Sequence, residues 1–171
     1  AGGPARYDGH NVVHNFSKGE LARVERRFQR LCKGGASEVA LSEFRQMTEL
    51  AGNPFSGRIF EIFDSNNDGM MTLEEFTMAL GSFKKMQTTD EKYEFALRVY
   101  DIDGDGMISE TELFETLRLA VGRSISDTQL EQIVQKTMIE FDTDGDGRLN
   151  FDEFKQLVST SDLRNKLEIA F

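Results

Sequence analysis

The chain is short of the residues on which disulfide bonds and acid–base chemistry depend. Its 171 residues include one cysteine, Cys32, two histidines, His10 and His14, and no tryptophan. A single cysteine cannot form an internal disulfide, which fits a reducing compartment, so we expect a cytoplasmic protein. Both histidines stand near the start of the chain without a nucleophile to activate, and neither a Walker-type phosphate loop nor an HExxH zinc motif occurs. We therefore predict that the protein is not an enzyme.

Positive charge and long apolar segments are also scarce. Lys and Arg number 20 against 30 Asp and Glu, for a formal net charge of -10. Nucleic-acid binding needs a basic patch, so we exclude that class of partner. No apolar run approaches the roughly 20 residues that a membrane-spanning helix requires, and we expect no transmembrane segment. The hydrophobic content of 39% is nevertheless sufficient for a folded core.

The most informative stretch is residues 142–153, which matches a twelve-residue EF-hand calcium loop. Ca²⁺ takes six to eight oxygen ligands at roughly 2.3–2.6 Å, and such a loop supplies them from positions 1, 3, 5, 7, 9 and 12. Position 6 turns sharply and is Gly147. The predicted ligands are Asp142, Asp144, Asp146, the Arg148 carbonyl, Asn150 and Glu153. Because position 7 uses only its carbonyl, the pattern places no demand on the arginine side chain.

Two further stretches, residues 64–75 and 101–112, satisfy the same pattern. In the second loop the predicted ligands are Asp64, Asn66, Asp68, the Met70 carbonyl, Thr72 and Glu75. In the third loop they are Asp101, Asp103, Asp105, the Met107 carbonyl, Ser109 and Glu112. The first stretch of this length, residues 32–43, keeps Glu43 at position 12 but has Cys32, Gly34 and Ala36 at positions 1, 3 and 5. We predict that this first loop binds no calcium and serves to pair with the second.

The loops start at residues 32, 64, 101 and 142, which makes an internal repeat of helix, loop and helix. The repeat predicts an all-α protein of four EF-hands in two paired lobes. An apolar residue at position 8 of each loop predicts a short two-stranded β pairing within each pair. We divide the chain into a mobile N-terminal arm (1–15), an N-terminal lobe (16–86), a C-terminal lobe (87–160) and an amphipathic tail (161–171).

The local patterns predict where several helices begin and end. Ser17 followed by Glu20 has the spacing of a capping box at the start of the first helix. A second helix is predicted from about Ser42 through Leu50, because apolar residues recur at helical spacing. Gly122 is expected to end one helix, and Ser126 or Asp127 to cap the next.

The carboxylate count ranks the three competent loops. The ligand positions carry three side-chain carboxylates in the second loop and four in each of the third and fourth. Such clusters repel unless a cation joins them, so we predict three Ca²⁺ sites, at which Mg²⁺ can substitute. Since affinity rises with ligand charge, the second loop is expected to be the weakest.

Calcium binding leaves open whether the protein is a sensor or an intracellular buffer. A sensor exposes an adaptable apolar groove, and 7 Met and 14 Phe are available to line one. Ordinary core is the better interpretation of any one of these residues, and only the set as a whole favours a groove. The helical candidates are Met47, Phe76, Met78, Met86, Phe114, Met138 and Phe154. We favour a sensor that holds a partner's amphipathic helix. The tail carries Leu163, Leu167 and Phe171 at helical spacing, and our hypothesis is that it occupies the groove until a target displaces it.

The chain resembles the calcineurin B group of EF-hand proteins. The resemblance rests on the four hands, the turn at 49–55 (ELAGNPF) and the run at 127–134 (DTQLEQIV), whereas the end of the tail is more similar to calcium- and integrin-binding proteins. It implies a regulatory subunit that holds the helical arm of a protein phosphatase catalytic subunit. Relatives that lack ligands in one loop imply the alternative of a calcium sensor for a kinase, an ion exchanger or a membrane-protein cytoplasmic tail. Peripheral membrane association would then come through the partner.

Overall fold

The computed structural model describes residues 16–47 and 50–160. The predicted arm (1–15) and the predicted amphipathic tail (161–171) lie outside the described residues. The described chain falls into two compact units, residues 16–87 and 88–160. In order, the elements are α1 (Lys18–Leu31), β1 (Glu38–Ala40), α2 (Leu41–Phe44), α3 (Ser56–Phe63), β2 (Met70–Thr72), α4 (Leu73–Lys85), α5 (Thr89–Tyr100), β3 (Ile108–Ser109), α6 (Glu110–Val121), α7 (Asp127–Phe141), β4 (Arg148–Leu149) and α8 (Phe151–Thr160).

This architecture confirms the predicted all-α class with short β pairing between loops. β1 pairs antiparallel with β2 and β3 with β4. The register places position 8 of one loop opposite position 8 of its neighbour, Val39 with Met71 and Ile108 with Leu149. All four side chains are fully buried. The apolar residue at position 8 therefore anchors each loop to its partner, so the hands pair first with second and third with fourth.

Aromatic contacts hold the helices of paired hands together. In the N-terminal unit the Phe28 ring of α1 lies 5.4 Å from the Phe76 ring of α4. In the C-terminal unit the Tyr100 ring of α5 lies 5.4 Å from the Phe154 ring of α8. In both units the entering helix of the earlier hand thus packs on the exiting helix of the later one. Aromatic pairs at this separation stabilise a core beyond the area that they bury.

The helix ends follow the predicted capping chemistry. Ser17 caps α1, with its hydroxyl accepting from the Glu20 N–H while the Glu20 carboxylate accepts from the Ser17 N–H. The Glu20 side chain also accepts from the Lys84 ammonium at 2.6 Å, which joins α1 to α4. Ser126 caps α7, and α6 ends at Gly122 with a φ of 56°. A backbone turn of that sign strains any residue that carries a Cβ.

One helix is shorter than its periodicity predicts. Apolar spacing predicts a helix from about Ser42 through Leu50, but α2 ends at Phe44. Beyond it the N–H groups of Gln46 and Met47 bond three residues back, which is the pattern of tight turns. Met47 and Leu50 are nevertheless buried. Successive turns can bury the same side chains as a helix, so burial periodicity alone does not separate the two structures here.

The Met and Phe residues considered for a partner groove mostly belong to the core. Five of these seven side chains are buried and two, Met86 and Phe114, are half-buried. The buried members are Met47, Phe76, Met78, Met138 and Phe154. Within the parts of the chain that the structure describes, no helix has the length and apolar character needed to span a bilayer.

Candidate calcium-binding site

The aspartate at position 1 of the second, third and fourth loops organises the turn that follows it. Each stands at the C-terminal end of the entering helix, and its carboxylate accepts hydrogen bonds from backbone N–H groups of the loop. Its Oδ2 accepts from the N–H of the position-6 glycine at 2.8, 2.8 and 2.9 Å in the pairs Asp64–Gly69, Asp101–Gly106 and Asp142–Gly147. These glycines have φ values of 77°, 87° and 81°. A side chain at any of the three would be strained, which explains the glycine in the pattern.

The second loop differs from the other two at position 4. The third and fourth loops have Gly104 and Gly145 there, with φ of 75° and 73°, whereas the second has Asn67 with φ of 55°. Asparagine tolerates the left-handed region better than most residues but less well than glycine. The second loop therefore adopts the same turn with more backbone strain.

The structure brings the aspartates of positions 1, 3 and 5 together. One carboxylate oxygen from each of Asp101, Asp103 and Asp105 lies within 4.8 Å of the others. The same holds for Asp142, Asp144 and Asp146. In the second loop Asn66 takes the middle place, and its amide donates to the Asp68 carboxylate at 2.8 Å. The third and fourth loops therefore each present three convergent carboxylates, whereas the second loop has an amide at the middle position and one carboxylate fewer.

The position-12 glutamates are buried and tie the two ends of each loop together. In the fourth loop Glu153 Oε1 accepts from the Thr143 N–H and hydroxyl, each at 2.8 Å, and Oε2 accepts from the Asn150 N–H at 3.0 Å. Glu112 accepts in the same way from Ile102 and Ser109. Glu75 accepts from Ser65 and Thr72 at the corresponding positions. The position-12 glutamate thus closes each of the three loops that are predicted to bind calcium.

Positions 9 and 12 have a second role that the ligand pattern alone does not reveal. Thr72 and Ser109 cap the exiting helices by accepting from the N–H groups of Glu75 and Glu112, whose carboxylates bond back to the capping residues. The sequence signal is a Ser or Thr followed three residues later by Glu, which is a capping box. A change at position 12 therefore affects a helix start as well as a predicted calcium ligand.

Burial and hydrogen bonding act in opposite directions on the pKa values of these carboxyl groups. Burial raises the pKa of Asp101, and the neighbouring Glu112 and Asp105 carboxylates raise it further. Burial also disfavours charge on Glu112 and Glu153, but the N–H and hydroxyl donors at the loop ends outweigh it, so their pKa values are lowered. Both glutamates are thus held as carboxylates, the form that binds a metal ion.

The first loop lacks this arrangement. Its Glu43 accepts from the Ala40 N–H at 3.1 Å and lies 3.4 Å from the Lys33 ammonium, a position-2 residue. A hydrogen bond from Ser42 lowers the pKa of Glu43, and Lys33 adds to the effect. At position 1, burial raises the pKa of the Cys32 thiol, and the Glu43 charge raises it further. A protonated thiol is a poor ligand for Ca²⁺, which prefers oxygen.

The donor chemistry of the other three loops fits Ca²⁺. The predicted ligand side chains offer carboxylate, amide and hydroxyl oxygens, which are the ligands of a hard cation. The buried glutamates of positions 12 accept from neutral N–H and O–H donors. Clustered carboxylates of one sign repel, and a bound divalent cation supplies the charge that offsets this repulsion.

The arginine at position 7 of the fourth loop has a contact that the ligand pattern does not predict. Its guanidinium Nη1 donates to Asp105 Oδ2, a residue of the third loop. The sequence signal for this contact is limited to one basic residue, Arg148, beside the strand that is predicted to pair with the acidic third loop. Which acidic residue it would meet depends on the β3–β4 register.

Comparison with known proteins decides the family. A profile described as an EF-hand domain pair matches residues 90–159, and one described as an EF hand matches residues 58–80. Calcineurin B of Naegleria gruberi is 46% identical over 155 residues, which cover 91% of this chain and 88% of that protein. The chain belongs to the calcineurin B family.

Other calcineurin B proteins match over a similar length. Calcineurin B of Candida glabrata is 40% identical over 157 residues, covering 92% of this chain and 90% of the relative. Calcineurin B type 2 of Mus musculus is 35% identical over 158 residues, covering 92% and 88%. The resemblance to the calcineurin B group is therefore confirmed, and the chain is a calcium-binding EF-hand protein.

Proposed function

We propose that this chain is a calcium-dependent regulatory subunit that binds three Ca²⁺ ions and holds an amphipathic helix of a protein phosphatase catalytic subunit. The observation that carries the proposal is the likeness to calcineurin B, which extends over about nine tenths of this chain and of its relatives. Those relatives are named as subunits of calcineurin, so each acts with another chain. As a subunit of this kind, the chain would have no catalytic activity of its own.

The partner helix would occupy an apolar groove. Sensor EF-hands expose such a groove when the helices of a hand open, whereas buffer hands barely open. The core supplies Met and Phe side chains that opening would uncover, among them Met78 and Met138. In the C-terminal unit Leu119 and Ile133 are already exposed. These features support helix-in-groove recognition of an apolar helical face.

The proposal is tested by capture of a calcineurin-type catalytic subunit. The full chain, immobilised, should retain the catalytic subunit's helical arm in Ca²⁺ and release much of it in chelator. An apolar dye should report more exposed surface with Ca²⁺. If dye binding does not change and no helix is retained, the chain is a buffer. Retention of a kinase peptide or a membrane-protein tail in place of the phosphatase arm would select the alternative sensor function.

We expect the three ions to bind with unequal affinity and the first loop to bind none. The second loop has one carboxylate fewer and a strained Asn67, so its site should fill last in a Ca²⁺ titration. The amide resonances of the position-6 glycines report each loop separately, because each N–H donates to the position-1 aspartate. A Gly69 resonance that shifts before those of Gly106 and Gly147, or a calorimetric stoichiometry other than three, would contradict this prediction. The same titration with Mg²⁺ tests whether that ion substitutes.

A further inference from the structure

The side chain of Arg148 joins the fourth loop to Asp105, a predicted calcium ligand of the third loop. Arg148 belongs to the fourth loop, and its guanidinium donates to Asp105 Oδ2 in the third. The side chains of Arg148 and Asp105 are 46% and 33% exposed. Both side chains are therefore partly covered by the protein and partly in contact with water. Because water reaches the contact, salt can screen it.

The backbone around Arg148 fixes where this guanidinium can reach. The Arg148 N–H donates to Asp146 Oδ1 at 2.8 Å, so its main chain is part of the fourth loop's own network. In the β3–β4 ladder Arg148 stands opposite Ser109, next to the buried pair Ile108 and Leu149. The main chain of this residue thus belongs to one loop while its charge lies on the other.

The charge of Arg148 acts on a cluster that is otherwise acidic. The oxygens of Asp101, Asp103 and Asp105 converge within 4.8 Å, so their mutual repulsion favours any nearby cation. The guanidinium already offsets part of that repulsion through Asp105. Less repulsion then remains for a bound Ca²⁺ to relieve, and the guanidinium also repels the ion directly. Both effects lower the calcium affinity of the third loop.

Order in the loop does not depend on the guanidinium. Asp101 accepts from the N–H groups of Gly104, Asp105 and Gly106, and Asp103 also accepts from the Asp105 N–H. These backbone bonds hold the turn without Arg148. Removing the charge should therefore change the electrostatics of the site more than its shape.

We propose that Arg148 is a positioning residue through which the fourth loop lowers the calcium affinity of the third. The proposal rests on the function proposed above, namely calcium binding by both loops. The third loop would then need a higher calcium concentration for half-occupancy than its four carboxylates would need without the guanidinium.

The test compares Arg148→Gln with wild type in the full chain, using the glycine amide resonances during Ca²⁺ titration. In Arg148→Gln the calcium affinity of the third loop, followed at the Gly106 amide, should rise about threefold to tenfold. This range corresponds to the Coulomb repulsion between the guanidinium and Ca²⁺ at a separation of about 6 Å in water with salt screening. That affinity should rise more than the affinity reported by Gly147. The gain should shrink in high salt, because the interaction lies at the surface.

Two variants separate the charge from other effects. Lys155→Gln removes one positive charge from the same unit, at a lysine that pairs with Asp90. The Ca²⁺ concentration at the midpoint of the Gly106 titration should change less in this variant than in Arg148→Gln. Arg148→Lys keeps the charge and should stay near wild type. An unchanged or lower affinity in Arg148→Gln, or an equal gain in Arg148→Lys, would overturn the proposal. If Gly106 of the wild type does not respond to Ca²⁺ at all, the proposed function fails instead.

Discussion

Replacing Glu153 with Gln should weaken calcium binding in the fourth loop by at least about 100-fold. This figure is a lower bound, since even residues that only support a metal ligand usually contribute about 10-fold to 100-fold to affinity. Glu153 is the predicted ligand at position 12, where an EF-hand glutamate binds through both oxygens, and the substitution removes its charge. The measurement is a Ca²⁺ titration followed at the Gly147 amide, with calorimetry to count the ions that still bind.

The same substitution should also destabilise the ion-free C-terminal unit. Glu153 accepts from the N–H of Thr143 through one oxygen and from that of Asn150 through the other. A glutamine places an NH₂ group against one of these N–H donors, which removes that hydrogen bond, and a hydrogen bond to a charged group contributes about 1.5–3 kcal/mol. Urea unfolding in chelator should therefore shift to lower urea concentration.

Glu131→Gln is the matched control for both effects. It makes the same chemical change in the same unit at an exposed position of α7. We expect calcium affinity and unfolding close to wild type. If Glu153→Gln behaves like Glu131→Gln in the titration, Glu153 is not a ligand and the assignment of the fourth loop is wrong.

Replacing Leu149 with Ala should cost the C-terminal unit about 2–5 kcal/mol of folding free energy, the usual range for a fully buried leucine. Leu149 is 0% exposed and stands opposite Ile108, also 0% exposed, in the β3–β4 pair. The loss is large beside the roughly 5–15 kcal/mol that stabilise a typical domain. Hydrogen exchange in chelator should show faster opening of residues 88–160. Calcium affinity should fall at Gly106 as well as Gly147, because the two loops share this contact.

Ile139→Ala provides the contrast. Ile139 is 84% exposed on α7 in the same unit. Surface substitutions away from special features usually change stability by less than about 0.5 kcal/mol. Equal destabilisation by the two variants would show that the Ile108–Leu149 contact does not hold the loops together.

The helix boundaries show where sequence reasoning was sufficient and where it was not. The capping boxes at Ser17 and Ser126 and the terminating Gly122 were predictable because each depends on residues within four positions of one another. The early end of α2 was not. Met47 and Leu50 are buried as a helix would bury them, and only the backbone bonds show that the chain has left the helical path.

The loop residues divide in the same way. Spacing alone predicted three calcium-binding loops and one defective loop, because the ligand positions lie within twelve residues, and the structure brings the aspartates of the third and fourth loops together. The spacing treated the Arg148 side chain as free to vary, whereas the structure places it on Asp105, 43 residues earlier in the chain.

The sequence by itself determined the repeat of four loops, the residues at their ligand positions, and the apolar residues that are buried at position 8. These features depend on local geometry and on a fixed spacing between oxygen ligands. Only the tertiary structure decided which charge meets which ligand across the paired loops. That contact requires the antiparallel register of β3 and β4, and the register is set by burying Ile108 against Leu149. The Arg148–Asp105 contact between the paired loops is therefore a property of packing, which no single loop encodes.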